Sequence, residues 1–415
     1  MNRRACLLAA ALGLASPAAM ADPIAILFVG NSYTFGRVDP VLSYNAANVH
    51  DLTAAFNAAS STGSNPFEPH PWGGVPGLFK KFTDEAGLNY DVSISARNAA
   101  TLRGQFLNTA NAAWDLRGNV ASRVWNTVVL QEQSDAALPA GKGKNANLGQ
   151  FNAYADQFER FIHTGAAQSY TEAQLYGSLA ACQATGATTG TCNTVRNIPA
   201  NPNARAATKV YITDTWARPD MVFAHKITTP DLTTPDGRPI VDTSSAGGNA
   251  TLYYASLGAM SSDLHQSFND KVNANKNFAG VLPVGDAFQL AVDLGLTKSS
   301  GFYDSNGVYV ENAPGDLLNL WWYDYLHASK YGSYLDALVQ FGTITGLDPL
   351  SLGANEQAAA DLGISGADAL TLQRVASQEL AVAAVPEPEA WALLAGGLLL
   401  VGRVTRRRRG ATAAP

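Results

Sequence analysis

Apolar positions fall along this chain in two alternating patterns. Residues 24–29 (Ile-Ala-Ile-Leu-Phe-Val) form an uninterrupted apolar run that reads as a strand buried on both faces. Residues 125–130, 209–213 and 280–284 read the same way, and residues 89–96 alternate as a strand does. Between these runs the period changes to that of a helix. Residues 75–86 and 331–341 carry it, the latter with Tyr334, Leu335, Leu338 and Val339 at 3–4 spacing, and residues 251–275 place Leu252, Leu257, Met260, Leu264 and Phe268 on one side. Short apolar strands alternating with helices predict a three-layer α/β/α sandwich with a mainly parallel sheet of about five strands. Ligands on such sheets bind at the carboxyl ends of the strands.

Three stretches break the pattern. Residues 43–72 are rich in Asn, Ala and Ser, residues 134–205 in Ala, Gly, Asn and Thr, and residues 228–249 in Thr, Asp, Pro and Gly. Connections of this length are read as surface insertions on one domain spanning residues 22–342. Residues 343–384 read as a helical appendage and linker. No internal repeat stands out.

Both ends look like address labels. Residues 1–21 begin with Arg3 and Arg4, continue as an apolar run and finish at Ala19-Met20-Ala21, the pattern of a cleavable secretory signal, with a buried N-terminal helix as the bland alternative. At the other end, Val385-Pro386-Glu387-Pro388 precedes an apolar stretch over 390–401, then Arg403 and four arginines at 406–409. This order resembles the PEP-CTERM sorting signal, here residues 385–415. The resemblance implies processing by signal peptidase and an exosortase, and a transient inner-membrane association through the tail. It also implies export through the inner membrane of a Gram-negative bacterium to the cell surface or extracellular matrix. A plain C-terminal membrane anchor differs only in whether the tail is cut.

Charge and cysteine narrow the function classes. With 28 basic and 34 acidic residues overall, and most arginines of the two ends removed, residues 22–384 carry a net charge of about −11. Such a body argues against nucleic acid, whose binding rests on neutralising phosphates. Cys182 and Cys192 remain after the leader, an even pair expected to form a loop-closing disulfide in an oxidising compartment. No spacing suggests a metal site, no Gly-rich phosphate loop with Lys-Ser/Thr occurs, and His50, His70, His163, His225 and His265 show no ligand pairing.

Two motifs carry chemistry. Gly30-Asn31-Ser32-Tyr33-Thr34 follows the first strand directly, which places a serine at the carboxyl edge of the sheet, with Gly30 allowing a sharp turn. Taken alone, Gly-Asn-Ser is also ordinary turn and helix-cap chemistry. Asp324-Tyr-Leu-His327 lies just before the helix of residues 331–341, and a carboxylate and imidazole three apart can project to one side. A serine hydroxyl needs an imidazole to take its proton, and the imidazole needs a carboxylate to fix its tautomer.

Gly-Asn-Ser after the first strand with Asp-x-x-His near the C-terminus resembles the SGNH, or GDSL-type, hydrolases over roughly residues 24–340. The resemblance implies an SGNH/flavodoxin-like sheet, with Ser32 as nucleophile, His327 as general base and acid, and Asp324 as its orienting partner. No metal or organic cofactor is implied. The family's oxyanion donors are the nucleophile's amide, a glycine amide after the second strand and an asparagine after the third. Here the second block reads Arg97-Asn98-Ala99-Ala100-Thr101, so Ala99 or Ala100 would supply the amide. The third reads Gln131-Glu132-Gln133-Ser134-Asp135, so Gln131 or Gln133 would stand in for asparagine. Trp216 and Arg218, after the strand of residues 209–213, are candidates to stack on a sugar ring and meet a carboxylate, or else to cover the sheet end. The expected reaction is hydrolysis of a carboxylic ester, and an acetylated carbohydrate is the first substrate expected by family analogy. A non-catalytic carbohydrate-binding or matrix protein on the same fold, and an acyltransferase with the same triad, remain open.

Overall fold

The computed structural model describes residues 22–37, 39–55, 68–110 and 112–383. The expected leader at 1–21 and tail at 385–415 lie outside the described residues. In chain order the strands are β1 (Ile24–Gly30), β2 (His50–Asp51), β3 (Tyr90–Ala96), β4 (Thr127–Gln131), β5 (Gln168–Thr171), β6 (Val195–Ile198), β7 (Lys209–Thr213), β8 (Thr228–Pro230), β9 (Pro239–Val241) and β10 (Gly280–Leu282). Six of them form one parallel sheet in the order β10-β7-β4-β1-β3-β2. The two-residue β2 extends the expected five strands to six.

Helices cover both faces, giving the three-layer α/β/α sandwich that the alternation predicts. Gly74–Glu85 and Lys330–Thr345 pack together on one face, where Phe79 meets Phe28 of β1 edge-on at 5.4 Å. Leu102–Leu107, Leu148–His163 and Leu257–Ala274 lie on the other, joined through the Phe106–Phe158 and Phe151–Phe268 contacts. Burial on both faces is why β1 and β4 read as continuous apolar runs rather than alternating ones.

The expected boundary at 342 falls inside Lys330–Thr345, and Gly366–Ala383 packs against that helix with Leu372, Val375 and Ala376 buried in the common core. The helix expected over 251–275 starts only at Leu257, where the Ser256 hydroxyl accepts from the Ala259 amide. Leu252 therefore lies before the helix, 43% exposed, instead of on its buried side. The insertion over 134–205 holds the antiparallel β5/β6 pair, joined through three short helices, and the Cys182–Cys192 disulfide, and that over 228–249 holds the β8/β9 hairpin.

One expectation is corrected outright. The transient inner-membrane association does not stand, because no helix among the described residues is long and apolar enough to cross a membrane. The tail on which it was read lies outside them.

Candidate active site

β1 pairs with both β3 and β4, so the strand order reverses on either side of it, and its carboxyl end opens at this switch point. Ser32 stands there, as the first residue of the one-turn helix Ser32–Phe35. Asn31 caps that turn, its side-chain oxygen accepting from the Tyr33 amide at 3.1 Å while its Nδ2 donates to the Ala100 carbonyl at 3.0 Å. Gly30 is needed for space: a Cβ there would sit 2.0 Å from Thr34 Oγ1 and 2.7 Å from Gln131 Oε1.

Asp324 and His327 arrive on a tight loop closed by the Trp321–Ala328 bridge, just before the Ser329 cap of Lys330–Thr345. The two oxygens of Asp324 have separate jobs. Oδ1 accepts the amides of Leu326 at 3.0 Å and His327 at 2.9 Å, which shapes the turn. Oδ2 accepts from His327 Nδ1 at 2.6 Å. With that nitrogen carrying the proton, His327 Nε2 accepts from the Ser32 hydroxyl at 2.8 Å. Residues nearly 300 positions apart thus form one line of hydrogen bonds, with Ser32 and His327 only 6% and 7% exposed.

Electrostatics divide the pair in one direction. Burial alone would raise the Asp324 carboxyl, but His327 and then Arg37 outweigh it and hold it well below the usual carboxylate range. Burial depresses the His327 imidazole; Asp324 opposes this, while Arg37 and Arg218 add to it. Both shifts point toward a carboxylate beside an imidazole with weakened hold on its second proton, the pairing a general base uses.

Two donors hold the loop from the other side. The Tyr33 hydroxyl and Trp216 Nε1 both donate to the Leu326 carbonyl, at 2.8 and 3.1 Å. Trp216 is 1% exposed and stacks between Tyr33 at 3.9 Å and Phe288 at 4.7 Å. Both of its faces are covered by protein rings, so it buttresses the loop and leaves no face for a sugar. Arg218 is likewise occupied: its Nε and Nη2 donate to Asp220, and Nη1 donates to Ser134 Oγ at 2.8 Å and Asp135 Oδ1 at 3.3 Å. No part of the expected substrate-carboxylate role is visible in that arrangement.

The expected oxyanion donors separate into groups. Gln131 Oε1 accepts from the Asn31 amide at 2.9 Å and from Thr34 Oγ1 at 3.1 Å, and its Nε2 donates to the Glu132 carbonyl. Its amide therefore builds the Ser32 turn rather than facing a substrate. The Ala100 amide donates to the Arg97 carbonyl at 3.2 Å, closing a turn in which Ala99 takes the left-handed φ of 55° where glycine is usual. The amides of Ser32 and Ala99 have no acceptor among the described residues. Gln133 is half-buried, with Nε2 donating to Ser134 Oγ at 3.2 Å.

The sequence reading missed two supports of this site. Glu132, 1% exposed, accepts the amides of Leu102 at 2.9 Å and Gln133 at 2.6 Å, tying the residue 97–102 turn to the end of β4; burial pushes its carboxyl up to about 7 against those two donors. Arg37, 7% exposed, is ion-paired with Glu68 and has its Nε 3.7 Å from Asp324 Oδ2. A charged residue in the otherwise apolar and small stretch after Ser32 was the available signal for it. No group of three or more metal-ligating side chains occurs among the described residues.

No family model and no curated protein matches the chain. Among solved structures it is similar to a protein from Slackia heliotrinireducens described as a candidate SGNH hydrolase, with 15% identity, a TM-score of 0.33, and 78% of this chain and all of that one covered. It is also similar to a DUF4886 family protein from Bacteroides uniformis (11% identity, TM-score 0.39, 89% and 99% covered). A third is phospholipase A1 from Streptomyces albidoflavus (11% identity, TM-score 0.30, 69% and 92% covered).

Proposed function

We propose that this chain is an exported serine hydrolase of carboxylic esters, with Ser32 as nucleophile, His327 as base and acid, and Asp324 as the group that orients the imidazole. The observation that carries this reading is the position of His327, bonded to Ser32 Oγ at 2.8 Å on one nitrogen and to Asp324 at 2.6 Å on the other. Ser32 Oγ adds to the acyl carbon as His327 Nε2 takes its proton, and the imidazolium formed is stabilised by Asp324. The oxyanion falls to backbone donors, for which the amides of Ser32 and Ala99 are available. His327 returns the proton to the leaving alkoxide. Water then resolves the acyl-enzyme with His327 again as base. Export is supported by the leader pattern and by the Cys182–Cys192 disulfide, at a Cα separation of 5.9 Å. Acetylated extracellular polysaccharide is the substrate class suggested by family analogy, ahead of lipid and aryl esters.

A second reading, a non-catalytic carbohydrate-binding protein on the same fold, draws on one observation: the Gln131 amide that would replace the family's asparagine is engaged within the chain. Acetate release from p-nitrophenyl acetate and from an acetylated polysaccharide separates the two. The hydrolase turns over, and Ser32→Ala lowers kcat by at least about 10³-fold with an unchanged fold. Equal inertness of both folded proteins on a broad ester panel would remove the hydrolase reading.

A further inference from the structure

Arg37 has no part in the chemistry above, yet among the described ion pairs it is the one arginine or lysine that reaches Asp324, beside His327. It follows the one-turn helix after Ser32 and lies under the Trp322 ring, its guanidinium carbon 5.4 Å from the ring centroid. A buried guanidinium is costly unless its charge is matched. Two carboxylates match it here: Glu68, 2% exposed and in direct contact, and Asp324. Arg37 Nε has no hydrogen-bond partner among the described residues, so its approach to Asp324 is a through-space charge contact at 3.7 Å.

That contact is to Oδ2, the oxygen that also receives His327 Nδ1. The guanidinium and the imidazole ring therefore share one carboxylate oxygen, at 3.7 Å from Arg37 Nε and 2.6 Å from His327 Nδ1. A positive charge at that range favours the Asp324 carboxylate and disfavours an imidazolium on the same oxygen. The other groups that face His327 are the Ser32 hydroxyl, the Tyr33 ring at 5.8 Å and Arg218, whose charge is matched by Asp135 and Asp220.

Resting on the hydrolase reading, we infer that Arg37 is a positioning residue: it holds Asp324 as the carboxylate and keeps His327 neutral, ready for the Ser32 proton, while Glu68 limits how much of the guanidinium charge the pair feels. The arrangement is an alternating line, Glu68 to Arg37 to Asp324 to His327 to Ser32. Removing the charge of Arg37 and removing that of Glu68 change the field at the imidazole with opposite sign. A purely structural Arg37–Glu68 pair would lose stability from either side and move the imidazole in no such opposed way.

The test is NMR titration of the His327 imidazole in the full chain and in Arg37→Gln, Arg37→Lys and Glu68→Gln. Arg37→Gln should raise the His327 pKa by about one unit, and Glu68→Gln should lower it. Arg37→Lys, which keeps the charge, should leave it within about 0.3 units of wild type. If Arg37→Gln does not fold, a downward shift in Glu68→Gln with none in Arg37→Lys still supports the role. Shifts of the same sign in the two Gln variants, or no shift in the variants that fold, would overturn it. The titration needs no turnover, so an inert protein would end the hydrolase reading while the imidazole shift still decides what Arg37 does. In an active enzyme the acid limb of kcat/KM moves with the same sign as the titration.

Discussion

The two sides of Ser32 are built on different plans. On the side of Asp324 and His327, side chains hold the loop's backbone and also one another: one carboxylate shapes its own turn through two amides at Oδ1 and aims the imidazole with Oδ2, and the imidazole meets Ser32 Oγ. Tyr33 and Trp216 clamp the same loop through the Leu326 carbonyl. On the side of Ala99 and Gln131, side chains hold chiefly backbone. Gln131 is engaged with Asn31 and Thr34, Glu132 with the amides of Leu102 and Gln133, and the donors left facing no acceptor are main-chain N–H groups. A proton-transfer line depends on residue identity, because only certain groups carry the right pKa. An oxyanion site depends on where amides point, which many residue types can satisfy.

That contrast can be broken at its strongest point first. Asp324→Asn keeps an oxygen for the turn but loses the charge that orients Nδ1–H, so kcat on p-nitrophenyl acetate should fall about 10⁴-fold while the circular dichroism spectrum stays that of the folded protein, with a lowered melt. A loss below tenfold would mean that the imidazole is not oriented by Asp324. Next is Glu132, whose folded carboxyl is raised to about 7 by burial. Its proton is bound more tightly folded than unfolded, so its contribution to stability is full below the ordinary Glu pKa and is lost as pH rises toward 7. Glu132→Gln should remove that slope, on the order of 1–3 kcal/mol, from urea unfolding measured between pH 4 and 8. An identical slope in the variant would show that the residue 97–102 turn does not rest on this carboxyl. The smallest effect belongs to Ala99→Gly. The amide is kept and a left-handed φ is relieved, so kcat/KM should stay within about threefold and stability within about 1 kcal/mol. A large loss of activity would put the Ala99 side chain, rather than its amide, at the site.

Much of this was readable before the fold was known, and for identifiable reasons. The strand after residue 209 has the expected bounds, and β1 and β4 are each within two residues of theirs, because burial on both faces leaves an apolar run that polar neighbours punctuate. Ser32, Asp324 and His327 were singled out by two motifs taken together, Gly-Asn-Ser after the first strand and Asp-x-x-His near the end of the domain, and by the family resemblance the two carry; either motif alone is ordinary turn and cap chemistry. Gln131, Trp216 and Arg218 were read for what their side chains could do to a substrate. Their actual partners, Asn31, Tyr33 with Phe288, and Asp135 with Asp220, lie elsewhere in the chain or call for a geometry that spacing does not supply. Gly30 was read as a source of backbone freedom, whereas its lack of a Cβ makes room for Thr34 and Gln131.

By itself, then, the sequence determined the layered fold and the chemical types at the site, since hydrophobic period and residue identity are local properties. Tertiary structure alone decided which polar groups remain free to act. The Gln131 amide is engaged at both its oxygen and its nitrogen, Trp216 is enclosed on both faces, and Arg37 is set beside Asp324 by a buried pair with Glu68. Hydrogen-bond saturation and charge balance are pairwise properties of groups that only the folded chain brings within a few ångströms, where each contact removes a donor or shifts a proton affinity.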